Sequence, residues 1–128
     1  MATALARGCL QAGLVPAENI TAADPFAAAI ETFAEQVPGA ILSADNAEVL
    51  SKSEVVVLAV KPQKMANVLS EISQHVADQH LLVSIAAGIT LDNLAAGLPS
   101  GTRLVRVMPN TPCLVGLGAS CYCRATSA

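Results

Sequence analysis

Aromatic side chains are nearly absent from this 128-residue chain, which has no tryptophan, one tyrosine and two phenylalanines. Its core cannot be organised around large rings. Much of the 53% hydrophobic content is alanine and valine, a composition suited to close helix-on-sheet packing. Charge is sparse as well: 13% of residues are charged, the net charge is −3 and the basic residues are scattered. That leaves no basic face for a phosphate backbone and excludes nucleic acid as a partner. No run approaches the roughly 20 apolar residues of a membrane span. Met1-Ala2-Thr3-Ala4-Leu5-Ala6-Arg7 lacks the charged start and apolar core of a signal peptide. The expectation is a cytoplasmic protein with no membrane partner.

A metal pattern is missing too. Cys9, Cys113, Cys121 and Cys123 supply one C-x-C pair with no second pair or histidine nearby, which falls short of a zinc site. Cys121 and Cys123 would share one face of a strand, where buried, reduced thiols are expected. His75 and His80 flank a polar stretch and are expected to face solvent without a role.

What the chain does contain is an alternation of strands and helices in a length that fits one domain. The most informative junction is Val55-Val56-Val57-Leu58 running into Ala59-Val60-Lys61-Pro62-Gln63. Four apolar residues without polar alternation predict a strand covered on both faces, as in a parallel sheet flanked by helices. Ligands of such sheets bind at the carboxyl ends of the strands, which is where Lys61 emerges. Pro62 lacks an N–H and can open the next helix at its first position.

Around that junction the pattern predicts a helix from Ala2 to Ala12 stopped by Gly13, a strand at Ile20–Ala23, and a helix capped by Asp24-Pro25 carrying Phe26, Ile30 and Phe33. A brief strand at Ala40–Leu42 and a short helix capped by Asp45 or Asn46 follow. After Pro62 come a helix with Met65, Val68, Leu69 and Ile72 on one face, a strand at Leu81–Ile85, a helix capped by Thr90, and strands at Arg103–Val107 and Gly116–Tyr122. The fold class is α/β, a Rossmann-like, doubly wound, largely parallel sheet built from right-handed βαβ units.

Four blocks, in order, carry a resemblance: Met1 to Gly8, Ala59-Val60-Lys61-Pro62-Gln63, Ser84-Ile85-Ala86-Ala87-Gly88-Ile89, and Arg106-Val107-Met108-Pro109-Asn110-Thr111-Pro112. The chain resembles the pyrroline-5-carboxylate reductases, and the Met-Pro-Asn-Thr-Pro block is the most specific mark. The resemblance implies an oxidoreductase that passes hydride from NADPH or NADH to 1-pyrroline-5-carboxylate, giving L-proline. It also implies that a first strand and a Gly-x-Gly loop precede the helix at Met1 and that a helical dimerisation and substrate domain follows Ala128. No G-x-G-x-x-G or G-x-G-x-x-A occurs in the chain. The expectation is therefore a partial NAD(P)-binding domain over residues 1–128, truncated at both ends, from a homo-oligomeric parent. Losing the first strand would leave bare or collapsed edges between the Ile20 and Val55 strands.

The same resemblance places Ala59, Val60, Lys61 and Pro62 along the cofactor's ribose and phosphate region, with Ile85, Ala86 and Ala87 as a second backbone wall near the nicotinamide. Asn46 falls at the adenosine end, and Asn110 and Thr111 fall beside the nicotinamide. Each has a plainer alternative: a solvated strand end for Lys61, helix-strand packing for Ile85–Ala87, a helix cap for Asn46, and a rigid turn between Pro109 and Pro112. Asp24 follows the second strand of the family, where an acid binds a ribose 2′-hydroxyl, or it simply caps the next helix. No acid-base pair stands out. A cyclic imine protonated on nitrogen is already electrophilic, so the protein's task is positioning.

As it stands the isolated chain is expected to be inactive and to bind NAD(P)H weakly or not at all. Two other readings compete: a 6-phosphogluconate-dehydrogenase-like or coenzyme-reducing oxidoreductase, and a non-catalytic fragment that pairs an open sheet edge with another chain.

Overall fold

The computed structural model describes residues 1–127. In chain order they form α1 (Ala2–Gln11), β1 (Thr21–Ala23), α2 (Ala27–Gln36), β2 (Ile41–Ser43), α3 (Asn46–Ser51), β3 (Val55–Leu58), α4 (Met65–Ile72), β4 (Leu81–Ser84), α5 (Leu91–Ala96), β5 (Arg103–Pro109) and β6 (Ser120–Arg124). Short 3-10 turns lie at Ala17–Asn19, Pro62–Lys64 and Thr111–Val115.

Local chemistry explains most boundaries. Pro62 opens the turn that runs into α4, where its missing N–H costs nothing. Asp45 Oδ1 accepts the Ala47 N–H at 2.8 Å and Thr90 Oγ1 accepts the Asn93 N–H at 3.2 Å, so each satisfies an orphan donor of its helix. The cap of α3 is thus Asp45 rather than Asn46. Before α2, Asp24 Oδ1 accepts the Phe26 N–H at 2.9 Å.

β3, β4 and β5 pair in that order, all parallel, with Val56 opposite Leu82 and Leu82 opposite Leu104. One face of this sheet carries Val56, Leu58, Leu82 and Leu104, which pack with Leu50 of α3, with Met65, Leu69 and Ile72 of α4 and with Leu94 of α5. Period two in the strands and spacings of three to four in α4 present these residues to one another. Each large side chain buried there contributes about 1.5–3 kcal/mol relative to exposure.

The sheet is split. β1 pairs only with β2, in parallel, and β3 through β6 form a separate four-stranded sheet. This agrees with the expectation of bare edges between the Ile20 and Val55 strands. The same opening corrects a second expectation, because β3 is not covered on both faces: Val55 is 58% and Val57 47% exposed, while Val56 and Leu58 are buried. An unbroken apolar run specifies a strand made to be covered, and the described residues supply no cover for one of its faces.

Four smaller expectations are corrected. His80 is 3% exposed and holds two backbone groups: its Nδ1 accepts the Ala77 N–H at 2.8 Å, and its Nε2 lies 3.1 Å from the Leu50 carbonyl. Accepting through Nδ1 fixes the Nε2–H tautomer, which donates to Leu50. Cys121 and Cys123 are exposed free thiols. Phe26 is 70% exposed and only Phe33 of the α2 series is buried. The last strand is shifted to Ser120–Arg124 and runs antiparallel to β5, Val107 opposite Tyr122, because residues 116–119 close the loop after the 3-10 turn instead: Gly116 is left-handed, and the N–H groups of Leu117 and Ala119 are bonded back to Pro112 and Asn110.

Candidate functional site at the carboxyl rim

Leu58 is opposite Ser84 and Ser84 is opposite Arg106, so β3 and β4 end level while β5 continues three residues to Pro109. With neighbouring strands about 4.8 Å apart, the segments leaving β3, β4 and β5 share one rim. Lys61, Ala87 and Asn110 all lie there and all are exposed. Lys61 is extended, at φ −62° and ψ 143°, and among the described residues it makes no ion pair. Ala59 and Val60 are half-buried beneath it, and Pro62 is exposed beside it.

The segment after β4 divides its work. Ile85 donates its N–H to the Leu58 carbonyl at 3.2 Å. Ala86 is 3% exposed and belongs to the core, so its side chain packs rather than facing the rim. Ala87 and Gly88 face solvent. Gly88 has φ +74°, and a Cβ there would meet nothing within 4 Å. A rim of small side chains beside one ammonium suits an extended anionic ligand lying close to backbone.

Asn110 organises the next loop. Its Oδ1 accepts the Ala119 N–H at 3.0 Å, and its carbonyl accepts the Cys113 N–H at 3.1 Å. Thr111 begins the 3-10 turn and is exposed. A Cβ on Gly118 would lie 2.8 Å from Cys113 Cβ, so the loop closes on itself only with glycine there. Cys113 Sγ lies 3.0 Å from Met1 Sδ, which brings the start of α1 to the same loop. The partial positive charge of a helix N-terminus therefore sits beside the rim.

Asp24 and Asn46 follow β1 and β2 at the carboxyl end of the other sheet. Asp24 is half-buried. Asn46 is the first residue of α3 and donates from Nδ2 to Glu71 Oε1 on α4 at 3.1 Å, tying α3 to α4. Nearby, Glu48 Oε1 is 2.6 Å from Lys52 Nζ and its Oε2 accepts from Ser43 Oγ at 2.6 Å. The Lys52 hydrogen bond first, then that of Ser43, holds the Glu48 carboxyl below its ordinary range.

Two rim features lie outside the expected site residues, although both fall within the blocks that carry the resemblance. Gly88 is one. Arg106 is the other: it lies opposite Ser84 on the pleat face of Leu104, and its buried Nε has no hydrogen-bond partner. A cation two residues from a core leucine in a strand was the available signal. A cavity of about 300 Å³, lined by Leu98, Thr102, Leu104 and Ala125 among others, lies away from this rim, at the amino end of β5. The described residues contain no cluster of three or more potential metal ligands and no helix long and apolar enough to cross a membrane.

Known proteins share this arrangement. The chain is 42% identical over 119 residues to pyrroline-5-carboxylate reductase 3 of Danio rerio, a match covering 93% of this chain and 41% of that protein. Among solved structures, a pyrroline-5-carboxylate reductase from Coxiella burnetii superposes with a TM-score of 0.91 at 29% identity, over 99% of this chain and 47% of that one. The Plasmodium falciparum pyrroline carboxylate reductase, solved with NADP bound, gives 0.83 at 31%, over 98% and 44%. The chain thus spans less than half the length of these relatives. A family model described as NADP oxidoreductase, coenzyme F420-dependent, matches residues 1–88. With a parallel-dominated, Rossmann-like α/β fold and relatives that are pyrroline-5-carboxylate reductases, the chain belongs to this family of NADP oxidoreductases.

Proposed function

We propose that residues 1–128 are part of the NAD(P)-binding domain of a pyrroline-5-carboxylate reductase, and that the whole protein, a homo-oligomer, reduces 1-pyrroline-5-carboxylate to L-proline in the cytoplasm. The observation that supports it most is the shared rim of Lys61, Ala87 and Asn110 at the ends of adjacent parallel strands, where dinucleotides bind in open α/β sheets. The donor chemistry fits: an exposed ammonium for phosphate or ribose oxygens at Lys61, small residues Ala87 and Gly88 that permit close approach, and half-buried Ala59, Val60 and Ile85 as walls.

Lys61 and the backbone walls at Ala59–Pro62 and Ile85–Ala87 would hold a reduced nicotinamide cofactor, which would supply the hydride for the carbon of a protonated imine, the C=N electron pair being taken up by its nitrogen. The chain's own residues position. Asn110 fixes the 111–118 loop through Ala119, so Thr111 is presented by a rigid turn, and the buried Ala86 anchors the Ile85–Ala87 wall to the core. Asn46 and Asp24 serve the adenosine end. Proximity and orientation of this kind are the main contribution required when the electrophile is already activated.

The chain has no G-x-G-x-x-G or G-x-G-x-x-A loop to cradle a pyrophosphate. Taken alone it binds NAD(P)H weakly and does not turn over. A titration followed by backbone amide NMR tests this: NADPH or NADH should shift Lys61, Ala87 and Asn110 together, and a coupled assay should detect no proline formation. Ordinary turnover by the purified chain, or shifts confined to the amino end of β5, would sink the proposal.

A second reading is favoured by the bare β1 and β3 edges and by exposed Val55 and Val57: the chain pairs an open edge with another polypeptide. A stable oligomer lacking nucleotide affinity would support it over the first.

A further inference from the structure

We infer that the outer edge of β6 is a docking strand for an extended, acidic segment of another polypeptide, with Arg106 as the anchor that its carboxylate meets. This stands apart from the cofactor reading and from the shorter edges of β1 and β3.

β6 is bonded to β5 alone, and all five of its residues are exposed. It is the longest strand with a bare edge among the described residues, since β1 and β2 have three residues each and β3 has four. The ladder fixes which groups turn outward. The Ala125 N–H donates to the Leu104 carbonyl at 2.9 Å, so by alternation Arg106 and Cys123 form a hydrogen-bonded pair, and the peptide groups of Ser120 and Tyr122 point away from β5. With neither proline nor lysine to blunt it, such an edge is a template for a further strand. Around it Met108, Leu114, Val115, Leu117 and Tyr122 are all exposed, a concentration of apolar surface that marks a contact face.

Charge says what the partner carries. All ten acidic residues of the chain lie at or before Asp92, whereas residues 93–128 hold three arginines and no acid. Arg106 shares a pleat face with Met108, Cys121 and Cys123, and its buried Nε has no hydrogen-bond partner. A buried donor on a cation is costly until an anion meets it. On that face Cys123 stands between Arg106 and a strand added to β6, and a long arginine stem can pass so small a side chain. Two strand spacings put the facing residue of the added strand about 10 Å from Arg106, within the combined span of an arginine and a glutamate. A second copy of β6 would bring arginines against arginines, which disfavours self-pairing.

Two blocked heptapeptides, Thr-Val-Thr-Glu-Thr-Val-Thr and its glutamine counterpart, test this when titrated under reducing conditions into the 128-residue chain. Amide NMR of Ser120–Arg124 and the side-chain Nε–H of Arg106 are the readouts. The glutamate peptide should shift both and bind at least about fivefold more tightly than the glutamine peptide. Arg106→Gln should bring that ratio to within about twofold while the β6 amides still shift. Tyr122→Pro, which removes an outward donor and none of the bonds to β5, should abolish binding of both peptides. Equal affinity for the two peptides, or a preference that survives Arg106→Gln, overturns Arg106 as the anchor. No shift at β6, binding that survives Tyr122→Pro, or β6 amides already covered by a second copy of the chain before peptide is added overturns the docking edge. Shifts of Lys61 and Ala87 with NADPH are read separately, so the cofactor reading stands or falls alone.

Discussion

The four-stranded sheet gathers ten hydrophobic residues from Leu50 to Leu104 into one buried cluster, whereas the β1–β2 pair with α1 and α2 buries only Phe33 and Val37. Both regions are α/β, and both have parallel strands. The difference lies in how many layers each can close. β4 has a partner on each side and helices α4 and α5 against one face, while β1 and β2 are three-residue strands with one partner each. A parallel pair that short cannot exclude water by itself, so the stability of the chain is concentrated in its second half.

That contrast is sharpest in core truncations. Leu82→Ala, at a fully buried position, should cost about 2–5 kcal/mol in urea unfolding, while Phe33→Ala should cost less despite removing a larger side chain. Amides of β1 and β2 should exchange with solvent faster than those of β4. An equal loss from both substitutions would show the two regions to be one cooperative unit.

His80→Phe comes next in size. It removes the acceptor for Ala77 and the donor to Leu50, leaving two backbone groups to find other partners at about 1–3 kcal/mol for each that stays unpaired. The melting temperature should fall by more than for the exposed His75→Phe, and comparable effects would remove His80 as a strut between α3 and the turn before β4. The smallest effect belongs to Glu48. Because its folded carboxyl titrates below the ordinary range, its stabilisation is present above that range and is lost as pH falls through the folded value. Glu48→Gln should therefore flatten a small part of the acid-side decline in melting temperature and change little in high salt, as expected of an exposed pair.

Much of this was legible in the residues. Pro62 after an apolar strand, Thr90 before Leu91 and Leu94, and Met65, Leu69 and Ile72 at helical spacing each encode a local rule that the fold obeys, and the three strand ends that meet at the rim follow from the order of those elements. What escaped depends on neighbours rather than on local pattern. His80 is polar by type and buried by its two backbone bonds. Val55 and Val57 are apolar by type and exposed because nothing described covers them. The glycine-dependent closure of the loop after Asn110 moves the start of the last strand four residues along and its end two, and the unpartnered burial of Arg106 Nε depends on neighbours that the spacing from Leu104 alone does not name.

The antiparallel β5–β6 hairpin has one more implication, for handling the protein. Its outer strand holds Cys121 and Cys123 in solvent on a single pleat face, next to an unshielded ladder of peptide groups. Air oxidation would weld neighbouring molecules through these sulfurs, so a reductant governs whether a preparation stays monodisperse. Maleimide dyes would find there a labelling point remote from the Leu82 core.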